Sequence, residues 1–155
     1  MPLKAVIFDV YNTLFRNDTS SWLDTFGDLC RIQGLPISPD DLWARWKSFE
    51  VRFRQTRTNL EHPEESPPFK TYQVAWKEAF VDAFDSLGIR GDPDHAAQLA
   101  VDSLATREPY EDPFPFLEYV GRRWKRAVLT NADNGSILPL LQRHGLSFDA
   151  VVTSQ

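Results

Sequence analysis

One carboxylate and one hydroxyl-amide pair stand where this chain is built to display chemistry. Asp9 closes the apolar run Ala5-Val6-Ile7-Phe8, and Thr130-Asn131 closes a second run, Ala127-Val128-Leu129. Runs of this kind without polar alternation read as parallel strands covered on both faces. Open parallel sheets bind ligands beyond the carboxyl ends of their strands, so the two groups are expected to meet at one enclosed crevice. An aspartate of ordinary pKa, about 3.9, is ionised at neutral pH and can attack an electrophile without a separate base. Main-chain N–H groups at the strand-to-loop turn, with the Thr130 hydroxyl, would stabilise charge on a phosphoryl or carboxylate oxygen. The alternative is that Asp9 only caps the turn that follows it.

Tyr11 lies two residues past Asp9. With an ordinary pKa of about 10 a tyrosine is a poor proton shuttle near neutrality, and a packing aromatic is its other reading. Thr13 suits bracing of the turn. His62, His95 and His144 have no metal-ligand spacing, and Cys30, the single cysteine, reads as core filling. Asp133-Asn134-Gly135-Ser136 opens a helix whose amino end either faces the pocket or is simply capped.

The elements that position these residues follow from periodicity. Trp22, Leu23, Phe26, Leu29, Cys30 and Ile32 recur at helical spacing, and Gly34 ends that helix. Ser38-Pro39-Asp40-Asp41 starts a second, with Leu42, Trp43, Trp46, Phe49 and Phe53 as its apolar stripe. His62 to Pro68 reads as an exposed loop. Further helices are expected over Phe69–Leu87, Pro93–Thr106, Phe114–Arg123 and Ser136–His144, with a last strand over Ala150–Thr153. Arg107 to Pro113, with two prolines and four charges, reads as a linker.

This order predicts an α/β chain: a Rossmann-like parallel sheet core from residues 1–15 and 109–155, with an all-helical cap, 16–108, inserted after the first strand. Trp22, Trp43, Trp46 and Trp76, four of the five tryptophans, fall in the insert, which is expected to have its own core and to sit over the strand ends as a lid. With 155 residues, 42% of them hydrophobic, one domain's worth of buried core is within reach. A net charge of -5 argues against a nucleic-acid partner, and no apolar run is long enough for a transmembrane helix. The start of the chain has no signal-peptide pattern, so a cytoplasmic location is the expectation.

Asp9-Val10-Tyr11-Asn12-Thr13-Leu14 resembles the first motif of the haloacid dehalogenase-like (HAD) hydrolase superfamily, and Val128-Leu129-Thr130-Asn131 resembles its second. Phe148-Asp149-Ala150-Val151-Val152 looks like that superfamily's third strand. The resemblance implies hydrolysis of a small molecule, with Asp9 as nucleophile forming an aspartyl ester. Thr130 would hydrogen-bond the substrate's anionic group, and Asn131 would shape the same pocket. Tyr11 is typical of the dehalogenases, where halide leaves without a proton; the phosphatases usually carry a second Asp there. Asn12 is more usual in that phosphatase pattern, where dehalogenases have glycine, so the local motif is mixed.

Dehalogenases of this superfamily also use a cap arginine against halide and carboxylate. Arg52, Arg54 and Arg57 lie in the matching region; Arg54 and Arg57, with Thr13, are the candidate substrate contacts, against the alternative of a charged outer helix face. A dehalogenase-like site implies no cofactor. A phosphatase-like one implies Mg²⁺ held by Asp9 and the main-chain carbonyl of Tyr11. The superfamily's third motif, a lysine, and its fourth, one or two acidic residues, cannot be placed: no lysine follows Lys125, and Asp149 precedes its strand. The resemblance makes the first strand central, so an unpaired sheet edge is expected to favour homo-oligomerisation or other association. On this reading the chain is a truncated or otherwise incomplete hydrolase with little turnover by itself, and a noncatalytic binding protein is the further alternative.

Overall fold

The computed structural model describes residues 2–155. Its elements run β1 (Ala5–Phe8), α1 (Thr19–Gln33), α2 (Pro39–Thr56), a short 3-10 turn (Pro63–Glu65), α3 (Tyr72–Leu87), α4 (Pro93–Leu104), α5 (Pro113–Gly121), β2 (Lys125–Leu129), α6 (Asn134–Arg143) and β3 (Ala150–Val152). The chain forms two units, one of residues up to Ser21 together with Asp102–Gln155, the other Trp22–Val101. The sequence placed these changes at 16 and 108.

In the first unit the sheet is parallel throughout, in the order β1-β2-β3. Phe8, Val128 and Val151 form one row across it. Leu117 and Val120 of α5 and Ile137, Leu140 and Leu141 of α6 pack with Phe8 and Val128 in a single core, so both helices cover the same face. The other face is bare. Ile7 is 63% exposed, Leu129 55% and Val152 52%, which corrects the expectation of strands covered on both sides. Apolar content specified a face to bury, but nothing in the described residues buries it. β1 stands at the sheet edge, the unpaired edge that the sequence led us to expect.

β2 begins two residues before the apolar run that announced it, because Lys125 and Arg126 keep the ladder despite their charge. The Arg126 guanidinium is spent locally, donating to the carbonyls of Leu117 at 3.2 Å and Ser147 at 3.0 Å. Asp149 takes the Arg126 amide on its carboxylate at 2.8 Å, at the amino end of the strands and away from the sheet's carboxyl edge. The stretch read as a linker is tied to the segment after β1: Arg16 N–H donates to Glu108 O at 2.8 Å and Tyr110 N–H to Leu14 O at 3.0 Å. Fully buried Phe15 bridges antiparallel to Pro109 between those bonds.

The second unit is held by an aromatic core. Trp22, Phe26, Trp46, Trp76 and Phe80 have ring centroids between 5.3 and 6.4 Å apart in the pairs they form. Such contacts add to what area burial alone supplies. Ser38 Oγ accepts from the Asp41 amide and Gly88 takes the left-handed conformation that ends α3, as the sequence led us to expect, and Thr71, which the sequence did not single out, caps α3. The Thr71 cap is why α3 starts at Tyr72, three residues later than expected. Cys30 is buried there, and burial raises its thiol pKa, as expected of a core filler. No described helix is long and apolar enough to cross a membrane.

Candidate active site

The strand-end residues singled out by the sequence lie at the carboxyl edge of the sheet. Beyond the last β1–β2 pair, Phe8 with Val128, the next residues are Asp9 and Leu129, and Thr130 follows one step on. Thr130 N–H donates to Val152 O at 3.0 Å, which brings the end of β3 level with them. Asp9, Leu129, Thr130, Asn131, Thr153 and Ser154 line one crevice of about 540 Å³. Sequence reasoning named Asp9, Thr130 and Asn131. It missed Thr153 and Ser154, although their position just past β3 was a usable signal, because a parallel sheet delivers all its strand ends to one edge.

The loop after Asp9 is tight for a reason visible in its bonds. The carbonyl of fully buried Val10 accepts the amides of Thr13, Leu14 and Phe15 at 2.8 to 3.3 Å. Reaching that geometry puts Asn12 at φ 59, a left-handed conformation that glycine and asparagine tolerate best. The mixed motif at residue 12 is thus explained by backbone, not by chemistry: both residues satisfy the turn. Thr13 is exposed on this loop.

Asp9 itself is exposed and its crevice is open, so the expected enclosure is not provided by the unit that carries it. Thr130 is 6% exposed, and its hydroxyl oxygen accepts from the Ala132 amide at 3.4 Å, leaving its hydrogen to be donated elsewhere.

Tyr11 turns away from the crevice. Its hydroxyl donates to Leu104 O at 3.2 Å, one of the last carbonyls of α4, which have no partner within the helix. Burial pushes its pKa well above the ordinary tyrosine value, a shift that the Ser136 hydroxyl and the nearby Arg107 guanidinium only partly offset. Tyr11 does not line the crevice. The structure gives this side chain a packing position, in keeping with the expectation that a tyrosine is a poor proton shuttle there.

The arginines proposed as substrate contacts are engaged within the helical unit. Arg54 pairs with buried Glu50 at 2.9 Å. Arg57 donates to the Tyr72 hydroxyl at 2.8 Å and lies over the rings of Tyr72 and Phe53.

A Mg²⁺ site is a poor fit to these residues. The crevice contributes one carboxylate, from Asp9, where such a site wants an octahedral oxygen set of high charge density. Among the described residues the one cluster with metal-capable atoms close together is His62, Glu64 and Glu65, exposed in the helical unit.

Comparison with solved structures sets this geometry in context. Over 98% of its length the chain superimposes on L-2-haloacid dehalogenase from Xanthobacter autotrophicus, with a TM-score of 0.68 and 23% identity, covering 57% of that chain. The same enzyme solved with chloropropionic acid covalently bound matches equally, at TM-score 0.68. The HAD-hydrolase YfnB from Bacillus subtilis, a putative enzyme solved with magnesium, matches at TM-score 0.76 and 16% identity, with 97% of this chain and 65% of that one covered. The chain has the fold of the HAD-like hydrolases. It spans 57% to 65% of the length of these structures. No protein-family profile and no curated protein sequence matches it. Within the HAD-like fold Asp9, Thr130 and Asn131 occupy the ends of adjacent strands, β1 and β2.

Proposed function

We propose that this chain is the nucleophile-bearing part of a HAD-like hydrolase that cleaves a carbon–halogen bond in a small 2-halocarboxylate. The observation that supports it most is Asp9 sharing one crevice with Thr130 and Asn131 at the carboxyl ends of neighbouring parallel strands. In the proposed reaction an Asp9 carboxylate oxygen attacks C2 of the substrate. The C–O ester bond forms as the carbon–halogen bond breaks, and the electron pair departs with halide. Water then adds to the ester carbonyl, the 2-hydroxycarboxylate leaves, and the Asp9 carboxylate is restored with release of a proton. The Thr130 hydroxyl, its acceptor side occupied by the Ala132 amide, donates to the substrate carboxylate, and Asn131 contributes to the same pocket.

Tyr11 favours halide over an alkoxide leaving group. A phosphomonoesterase needs an acid beside the nucleophile to protonate the departing alkoxide. In this chain the residue at that place is a tyrosine committed to a helix-end carbonyl, with its proton held more tightly than usual. The covalent chloropropionic acid adduct of the Xanthobacter enzyme agrees with this choice of substrate class. The magnesium-bound HAD-hydrolase keeps Mg²⁺-dependent phosphomonoester hydrolysis as the second reading.

In the natural protein at its full length, halide release from L-2-chloropropionate and phosphate release from p-nitrophenyl phosphate, measured side by side with and without chelator, separate the two. Chelator-insensitive chloride release that disappears in Asp9→Asn is the expected result. Phosphate release abolished by chelator would overturn it in favour of the second reading.

A further inference from the structure

The three residues after β3 bond to the β2–α6 loop and to the first residue of α6. Thr153 donates its hydroxyl to Asn134 Oδ1 at 2.9 Å, and Ser154 donates its own to Asn131 O at 2.9 Å. Gln155 Oε1 accepts the Asn134 amide at 3.0 Å, satisfying a first-turn N–H of α6 that the N-cap residue Asp133 does not reach with its side chain. Of these, the Ser154 hydroxyl bond falls on the peptide unit whose N–H reaches the Thr130 hydroxyl; the same hydroxyl also lies 3.4 Å from Ala132 O, to which the Ser154 N–H donates at 3.3 Å. The carbonyl of Asn131 and the N–H of Ala132 belong to a single planar trans peptide, so they point in opposite directions and turn together. Ser154 holds the carbonyl end, and the Thr130 hydroxyl accepts from the N–H end at 3.4 Å. A rotation of that plane would release both contacts at once.

We propose that Ser154 is a positioning residue: by fixing the Asn131–Ala132 peptide plane it holds the Thr130 hydroxyl in the rotamer that donates to a carboxylate bound beside Asp9. This rests on the hydrolase reading for its substrate, a 2-halocarboxylate, and for the contact between Thr130 and the bound carboxylate; the link from Ser154 to Thr130 rests on the geometry. Ser154 lines the same crevice, so its effect is local to the site. Because Thr130 contacts the substrate carboxylate before and during the reaction, loosening it weakens binding uniformly. Such a loss raises KM and leaves kcat nearly unchanged.

The test uses the natural protein at its full length. L-2-chloropropionate serves as the turnover probe, and propionate, which cannot react, as the binding probe titrated by NMR. Ser154→Ala is expected to raise KM for the first and Kd for the second about fivefold, the usual scale for one hydrogen bond, with kcat within about twofold. Ser154→Thr, which keeps the hydroxyl, is expected to restore both. Gln155→Ala removes a bond to the first turn of α6 without touching the peptide plane, and is expected to lower Tm while leaving KM and Kd at the parent values. An unchanged KM and Kd in Ser154→Ala overturns the proposal, as does an equal rise in Gln155→Ala, or absence of propionate binding by the parent protein. Missing chloropropionate turnover with a propionate Kd that still weakens in Ser154→Ala would overturn the dehalogenase reading and uphold the positioning role.

Discussion

Asp9 and Tyr11 sit two residues apart and have opposite fates. Asp9 follows a strand and stays accessible; Tyr11 turns back to close a helix end. Asp9→Asn is expected to lower kcat on the order of 10³-fold or more, since a neutral amide is a far weaker nucleophile, with little change in Tm. Tyr11→Phe is expected to do the reverse. Chloride release should stay within about threefold of the parent, while the lost hydrogen bond costs about 1 kcal/mol by thermal unfolding. A proton shuttle at Tyr11 would instead cost about 10²-fold or more in kcat. The raised pKa adds a pH signature. Because folded Tyr11 keeps its proton where the unfolded residue loses it, the native state binds more protons above about pH 10, and stability falls as pH rises from there. Tm measured from pH 8 to 11 should therefore decline less steeply in Tyr11→Phe than in the parent.

Among the elements, α2 shows how caps and burial compete. Ser38 accepts the Asp41 amide at 3.1 Å and donates to the Asp41 carboxylate at 2.7 Å, so Ser38→Ala is expected to cost about 1 kcal/mol in denaturant unfolding. Eight residues of the same helix beyond Leu42 lies Glu50, 6% exposed, whose pKa is raised by burial more than Arg54 can lower it. The folded state then binds a proton that the unfolded state has released, so stability declines as pH rises through and above the ordinary glutamate range. Glu50→Gln removes that charge. Its Tm is expected to exceed the parent's at pH 7, with the advantage gone near pH 4. A lower Tm at pH 7 would show that the Arg54 pair outweighs the desolvation.

At the scale of the molecule, the uncovered sheet face has a physical consequence. Ile7, Leu129 and Val152 expose more than half their surface on one side of a parallel sheet whose other side is packed, and β1 offers an unpaired edge beside them. Apolar faces and free edges favour association. The isolated chain is expected to elute as concentration-dependent oligomers in size-exclusion chromatography with light scattering. Ile7→Lys combined with Leu129→Lys is expected to shift it to monomer. Persistence of the same oligomers in the double variant would place the contact elsewhere.

Local chemistry made much of this protein legible in advance. Strand tips at Asp9 and Thr130, the Ser38 cap, the Gly88 stop and the aromatic stripe of the helical unit are each decided within a few residues by propensity, periodicity and turn geometry, so the sequence by itself announced the α/β order and the carboxylate at a strand tip. Tertiary structure decided what depends on distant partners. It sent the Tyr11 hydroxyl to Leu104, engaged Arg54 and Arg57 within their own helical unit, left one sheet face bare, and joined Ser154 to Thr130 through a shared peptide plane. A side chain's type fixes which bonds it can make; only the folded backbone fixes which unsatisfied group lies within 3 Å or so of it.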